Sequence, residues 1–129
     1  MDEEIKDWTL EEGEKAYNIR HRSYHFAKDI VHFILQLEYK PVYRSILDQL
    51  IRSATSIGAN AVEGSSGSSK KDFINFYIIA LKSANECKFW LCLVRDTLDC
   101  DKAKLKELLI EANELSSIIA SIIKKAKQP

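Results

Sequence analysis

The sequence predicts an all-α protein, an antiparallel up-down-up-down four-helix bundle that self-associates. Three observations carry that expectation. Apolar residues recur at alternating steps of three and four along four long stretches, the period of a helix with one buried face. Only 4 Gly and 2 Pro occur in 129 residues, too few for the many turns of an all-β fold. A chain of this length closes a single core and not two.

Composition sets the frame for the elements. An apolar fraction of 46% and a charged fraction of 29% are those of a soluble globular chain. No apolar run approaches the ~20 residues of a membrane span. The acidic start is unlike a signal peptide, so the expected location is cytoplasmic. Formal net charge is +0, but seven acids stand against Lys6 and Lys15 within residues 1–15. That stretch carries −5 and the remainder +5. The acidic stretch either screens the basic body from anionic partners or is simply solvated.

Residues 1–16 show no sustained period and read as an acidic leader, partly ordered at best, ahead of a bundle domain over 17–129. Trp8 and Leu10 are its docking candidates. The first helix is expected from about Ile19 to Glu38, on Tyr24, Ala27, Ile30, Val31, Ile34 and Leu37. Pro41 ends it, because proline lacks the donor and disfavours helix just before itself. A second helix runs from about Tyr43 to Glu63 on Leu47, Leu50, Ile51, Ala54, Ile57 and Ala61. Gly64 stands where a left-handed residue would terminate it. Ser69 and Asp72, three apart, resemble a capping box for a third helix from about Lys70 to Leu98. The fourth, about Asp101 to Lys127, repeats the alternation from Leu105 to Ala126, and Lys124, Lys125 and Lys127 suit its C-terminal dipole.

The third helix is more apolar than one bundle face requires. Beside its seam of Phe73, Tyr77, Ala80, Ala84, Cys87, Leu91, Val94 and Leu98 lie Ile74, Ile78, Leu81 and Cys92. On the other flank lie Phe76, Ile79 and Trp90. Surplus apolar surface marks association, so Ile74, Phe76, Ile78, Ile79 and Trp90 are the expected oligomer interface. The alternative is a wide intramolecular face covered by the leader.

Chemistry-bearing patterns are sparse. A di-metal bundle needs Glu-x-x-His on two helices, and that motif is absent. Cys87, Cys92 and Cys100 match no common zinc spacing and read as reduced structural thiols. His21, His25 and His32 share one side of the first helix with Lys28, and no carboxylate or cysteine completes a metal set. They read as a solvated, weakly basic stripe. Arg20 and His25 form Arg-x-x-x-x-His, a spacing that resembles the HEPN ribonucleases, with arginine stabilising phosphate charge and histidine moving the proton. That motif usually lies late in its domain, and here it opens the first helix. It is the enzymatic alternative. No cofactor motif occurs, since Gly64-Ser-Ser-Gly67 fits neither phosphate-binding fingerprint. Candidate nucleic-acid contacts are Arg20, His21, Arg22, His25, Lys28 and His32, with Lys70 and Lys71 and with Lys124, Lys125 and Lys127; they are dispersed in sequence.

The most unusual stretch is Arg52-Ser-Ala-Thr-Ser-Ile-Gly-Ala-Asn-Ala-Val-Glu-Gly64. On a helical wheel Arg52, Ser53, Ser56, Asn60 and Glu63 share one side. Ala54, Ile57, Gly58 and Ala61 share the other, where small residues allow close helix approach. The polar side is either a binding site or a hydrogen-bond network reaching Ser83 and Glu86 that fixes register or subunit contacts.

Residues Gln49 to Gly64 also carry a resemblance. Together with Ser23–Val31, Lys71-Asp-Phe73 and Ile79–Glu86, they look like a bacterial four-helix-bundle family encoded within intervening sequences of 23S ribosomal RNA genes. The resemblance spans residues ~20–126. It implies a homopentamer with no established enzymatic activity. A distant branch, the accessory variability proteins of diversity-generating retroelements, is strongly basic and binds a reverse transcriptase and nucleic acid. This chain departs from that branch in its neutral charge. The expected function is a non-enzymatic homo-oligomeric scaffold or adaptor, with RNA, DNA or a nucleic-acid-handling protein as its partner.

Overall fold

The computed structural model describes residues 18–67 and 69–129, so the leader expected over 1–16 lies outside the described residues. Four helices and no strand occur among them: α1 (Ile19–Leu35), α2 (Arg44–Ser65), α3 (Lys70–Thr97) and α4 (Lys102–Ala126). A 3-10 turn at Pro41–Tyr43 leads into α2.

Local chemistry sets the ends. Asn18 accepts from the backbone N–H groups of Arg20 and His21 through its side chain, capping α1. Ser69 and Asp101 cap α3 and α4 in the same way, accepting from the N–H groups of Asp72 and Lys104. α1 stops at Leu35, three residues before the expected end. Gln36 and Leu37 donate to the carbonyls of Phe33 and Ile34, which tightens and closes the last turn. Lys40 is extended, as a residue before proline prefers.

Gly64 corrects the expected terminator. It lies inside α2 and is buried, and the cap falls on Ser66 in a right-handed conformation. Its use is steric. A Cβ there would stand 2.8 and 2.9 Å from the Tyr77 ring and 3.1 Å from Phe76 Cβ. Gly58 serves the same end more loosely, since its Cβ would meet Ser23 Cβ at 3.2 Å. Glycine at these two points brings α2 close to α3 and α1.

α2 packs against α1 and α3, and α4 against α3 and α1. Cross-helix pairs run in opposite order along neighbours: Ser56 meets Ser83 while Ser65 meets Tyr77, and Lys70 reaches Gln128 while Lys88 reaches Ser116. The core is one cluster that includes Phe26 and Ile30 of α1, Leu50 and Ile57 of α2, Leu91 and Val94 of α3, and Leu105, Leu115 and Ile119 of α4. No described helix is long and apolar enough to cross a membrane.

Candidate functional site

Three places gather the residues singled out in the sequence. The first lies between α2 and α3. Ser83 Oγ donates to Ser56 Oγ at 2.8 Å, and Asn60 Nδ2 donates to the same oxygen at 2.9 Å and to Ser56 O at 2.8 Å. Buried Ser53 donates to Leu50 O at 3.0 Å and also hydrogen-bonds the Cys87 thiol. Burial pushes that thiol up to about 12, the Ser53 bond opposing the shift. Cys87 is therefore protonated and inert at neutral pH. Farther along, Ser65 Oγ and Tyr77 OH are 3.0 Å apart.

This is a short polar seam between α2 and α3 inside an apolar interface. Arg52 and Glu63 are exposed and stand outside it. Glu86 is exposed too, and accepts from Trp90 Nε1 at 3.0 Å on the outer side of α3.

The second place is α1. His21 corrects the expected solvated stripe, being fully buried with its ring stacked on His25 at a 6.3 Å centroid distance. His21 lies between buried Ile19 and Ser23 in the first turn of α1, off the three- and four-residue steps of Phe26, Ile30 and Phe33 that helical period records. His25 is half-buried, while His32 and Lys28 are exposed. Arg22 is engaged by Glu111 of α4 through two bonds, Nη2 to Oε1 at 2.6 Å and Nε to Oε2 at 3.1 Å. That bonding raises the guanidinium pKa above its ordinary value against the opposing effect of burial.

Arg20 and His25 line different hollows. Arg20 lines a hollow of about 500 Å³ between α1 and α2, with Ser23, Tyr24, Thr55 and Gly58. His25 lines a different one between α1 and α4, with Arg22, Asp29 and Glu107. Five residues turn the helix by roughly 500°, which puts the two side chains on different flanks. No group of three or more His, Cys, Asp or Glu placed to hold a metal occurs among the described residues.

The third place is the outer side of α3. Ile74, Ile78 and Trp90 are half-buried and pack against the core, so the bundle itself takes up part of the surplus apolar surface. Phe76 is half-buried. Ile79 is 45% exposed and Phe89, which the sequence reading passed over, is 61% exposed. Ile79, Lys82, Glu86, Phe89 and Leu93 follow one another at steps of three and four, opposite the buried seam. Phe89 meets Trp90 edge to face at 4.9 Å.

The 23S rRNA-intervening sequence protein family matches residues 15–121. The chain belongs to that family. The crystal structure of a protein of unknown function from the S23 ribosomal protein family of Bacteroides thetaiotaomicron is similar to this family member. The two share 34% identity and a TM-score of 0.72, over 82% of this chain and 98% of that one. No curated protein matches. The resemblance read from Gln49–Gly64 and its flanking motifs thus holds.

Proposed function

We propose that this chain is a non-enzymatic scaffold, an up-down-up-down bundle that assembles into a cytoplasmic homopentamer and serves RNA, DNA or a nucleic-acid-handling protein. One observation carries the assembly reading. α3 presents a second seam at heptad-like spacing on its outer side, with the exposed Ile79 and Phe89 on either side of Lys82 and Glu86. A seam of that period is the natural partner of another helix, and its mixed charges suit a copy of itself. The separation of Arg20 from His25 supports a scaffold over a ribonuclease.

Sedimentation of the parent and of an Ile79→Glu/Phe89→Glu variant tests the reading. A carboxylate at each position leaves α3 folded but charges the seam. The variant should sediment as a single chain with unchanged helical circular dichroism. A variant that assembles like the parent would remove this face from the interface.

A further inference from the structure

The excess positive charge of the body is concentrated at one end of the bundle. Residues 16–63 carry +2 and residues 86–114 carry −2, so they cancel. The whole +5 therefore falls in residues 64–85 and 115–129, where Lys70, Lys71, Lys124, Lys125 and Lys127 less Asp72 put +4 at that end and Lys82 stands midway along α3. These two stretches are distant in sequence and adjacent in space, because Lys70 Nζ at the start of α3 donates to Gln128 O just past the end of α4 at 3.2 Å. Lys70, Lys71, Lys124, Lys125 and Lys127 are all exposed. After Glu114, α4 and its tail hold no acid at all.

Helix stability accounts for only some of these cations. Lys124 and Lys125 in the last turn of α4 complement its dipole. Lys70 and Lys71 occupy the first turn of α3, where the dipole disfavours positive charge and Asp72 alone offsets them. Their placement works against the helix and for the field at that end.

We propose that this lysine end binds the phosphate backbone of double-stranded nucleic acid without reading its sequence. Every cation in the two stretches is lysine, a compact point charge suited to phosphate oxygens rather than to forked recognition of a carboxylate. Single strands are held by aromatic stacking platforms, and the exposed aromatics among the described residues, Tyr24, Tyr39 and Phe89, lie elsewhere. Insertion into a lipid surface needs exposed apolar groups beside the charge, and the exposed large apolar residues also lie elsewhere. This inference is independent of the assembly reading, since one chain carries the whole patch.

Fluorescence anisotropy with a labelled 20-base-pair duplex, as RNA and as DNA, tests it on the full chain. Five phosphate contacts give a slope near −4.5 in log K against log salt, a loss of about 500-fold between 50 and 200 mM. Lys124→Gln/Lys125→Gln/Lys127→Gln should flatten the slope by ~2.7 and weaken binding to both duplexes alike. Lys40→Gln/Lys104→Gln/Lys106→Gln removes as much charge elsewhere and should bind as the parent does. Equal loss in both variants, no binding at 50 mM salt, or tighter binding to phosphatidylserine vesicles than to either duplex would overturn the proposal. Light scattering on the same samples keeps the two readings apart. A bound single chain would contradict assembly alone, and an unbound oligomer would contradict the lysine end alone.

Discussion

Replacing Gly64 by alanine separates packing from helix propensity, because the two effects have opposite signs. In an open helical position, Gly→Ala stabilises by about 1 kcal/mol through the backbone entropy of the unfolded chain. At Gly64 the new methyl would stand 2.8 and 2.9 Å from two Tyr77 ring carbons and 3.1 Å from Phe76 Cβ. Tyr77 cannot give way cheaply. It is buried, stacked on Phe73 at a 4.4 Å centroid distance and hydrogen-bonded to Ser65 at 3.0 Å. Overpacking of this kind costs ~1–3 kcal/mol, and loss of the Ser65 bond adds ~0.5–1.5. With the propensity gain subtracted, Gly64→Ala should destabilise by ~0.5–3.5 kcal/mol, lowering the urea midpoint by roughly 0.3–2 M at unchanged slope. Protein concentration must be held fixed, because any assembly couples to stability. In a Tyr77→Leu background, where no ring stands at the contact, the same substitution should cost nothing or stabilise. A single variant as stable as its parent would refute the close-approach account of Gly64.

Four further outcomes concern the polar seam and the charges. Cys87 should resist a soluble thiol reagent at neutral pH while half-buried Cys92 and Cys100 react, and full labelling of all three in the native protein would contradict its burial. Its folded pKa of about 12 lies above the ordinary 9.0, so its contribution to stability is complete below pH 9. Above that, stability falls by up to ~1.4 kcal/mol per pH unit as the unfolded thiol ionises, a slope that Cys87→Ala should lack and whose persistence would assign it to other groups. Ser56→Ala and Ser83→Ala should each cost ~0.5–1.5 kcal/mol in denaturant unfolding but couple when combined, since they remove one shared bond; strict additivity would count against the seam. Deleting residues 1–15 raises the formal net charge from +0 to +5, and duplex affinity at 50 mM salt should rise several-fold, whereas unchanged affinity would make the leader a bystander.

The helices were legible because each buries one stripe, and three- and four-residue steps such as Tyr77, Ala80, Ala84, Cys87 record that burial directly. The cap at Ser69 was legible from Asp72 three residues on, whereas Asp101 stood in the sequence only as the start of the fourth helix and is its cap in the structure. Gly64 was misread because a glycine near the end of an apolar pattern looks alike whether it turns the chain or admits a ring from another helix. The Tyr77 contact that decides between them lies 13 positions away. Arg22 and Glu111 are 89 residues apart, and nothing in one strand of sequence pairs them. Lys70 and the α4 lysines looked dispersed on the same grounds, until the α3–α4 packing set Lys70 beside Gln128. His21 failed differently, since helical period speaks only to the seam. Phe89 stands on a regular step from Ile79 through Lys82 and Glu86, but the two charged residues in the middle break the apolar pattern that would mark it.

The central claim is that the outer seam of α3 joins copies of this chain. The most direct measurement is the solution mass of the full chain by light scattering coupled to size exclusion, across a range of concentrations. Five chains of 14.8 kDa give a single species near ~74 kDa, the predicted result. A monodisperse species of 14.8 kDa at every concentration would contradict it.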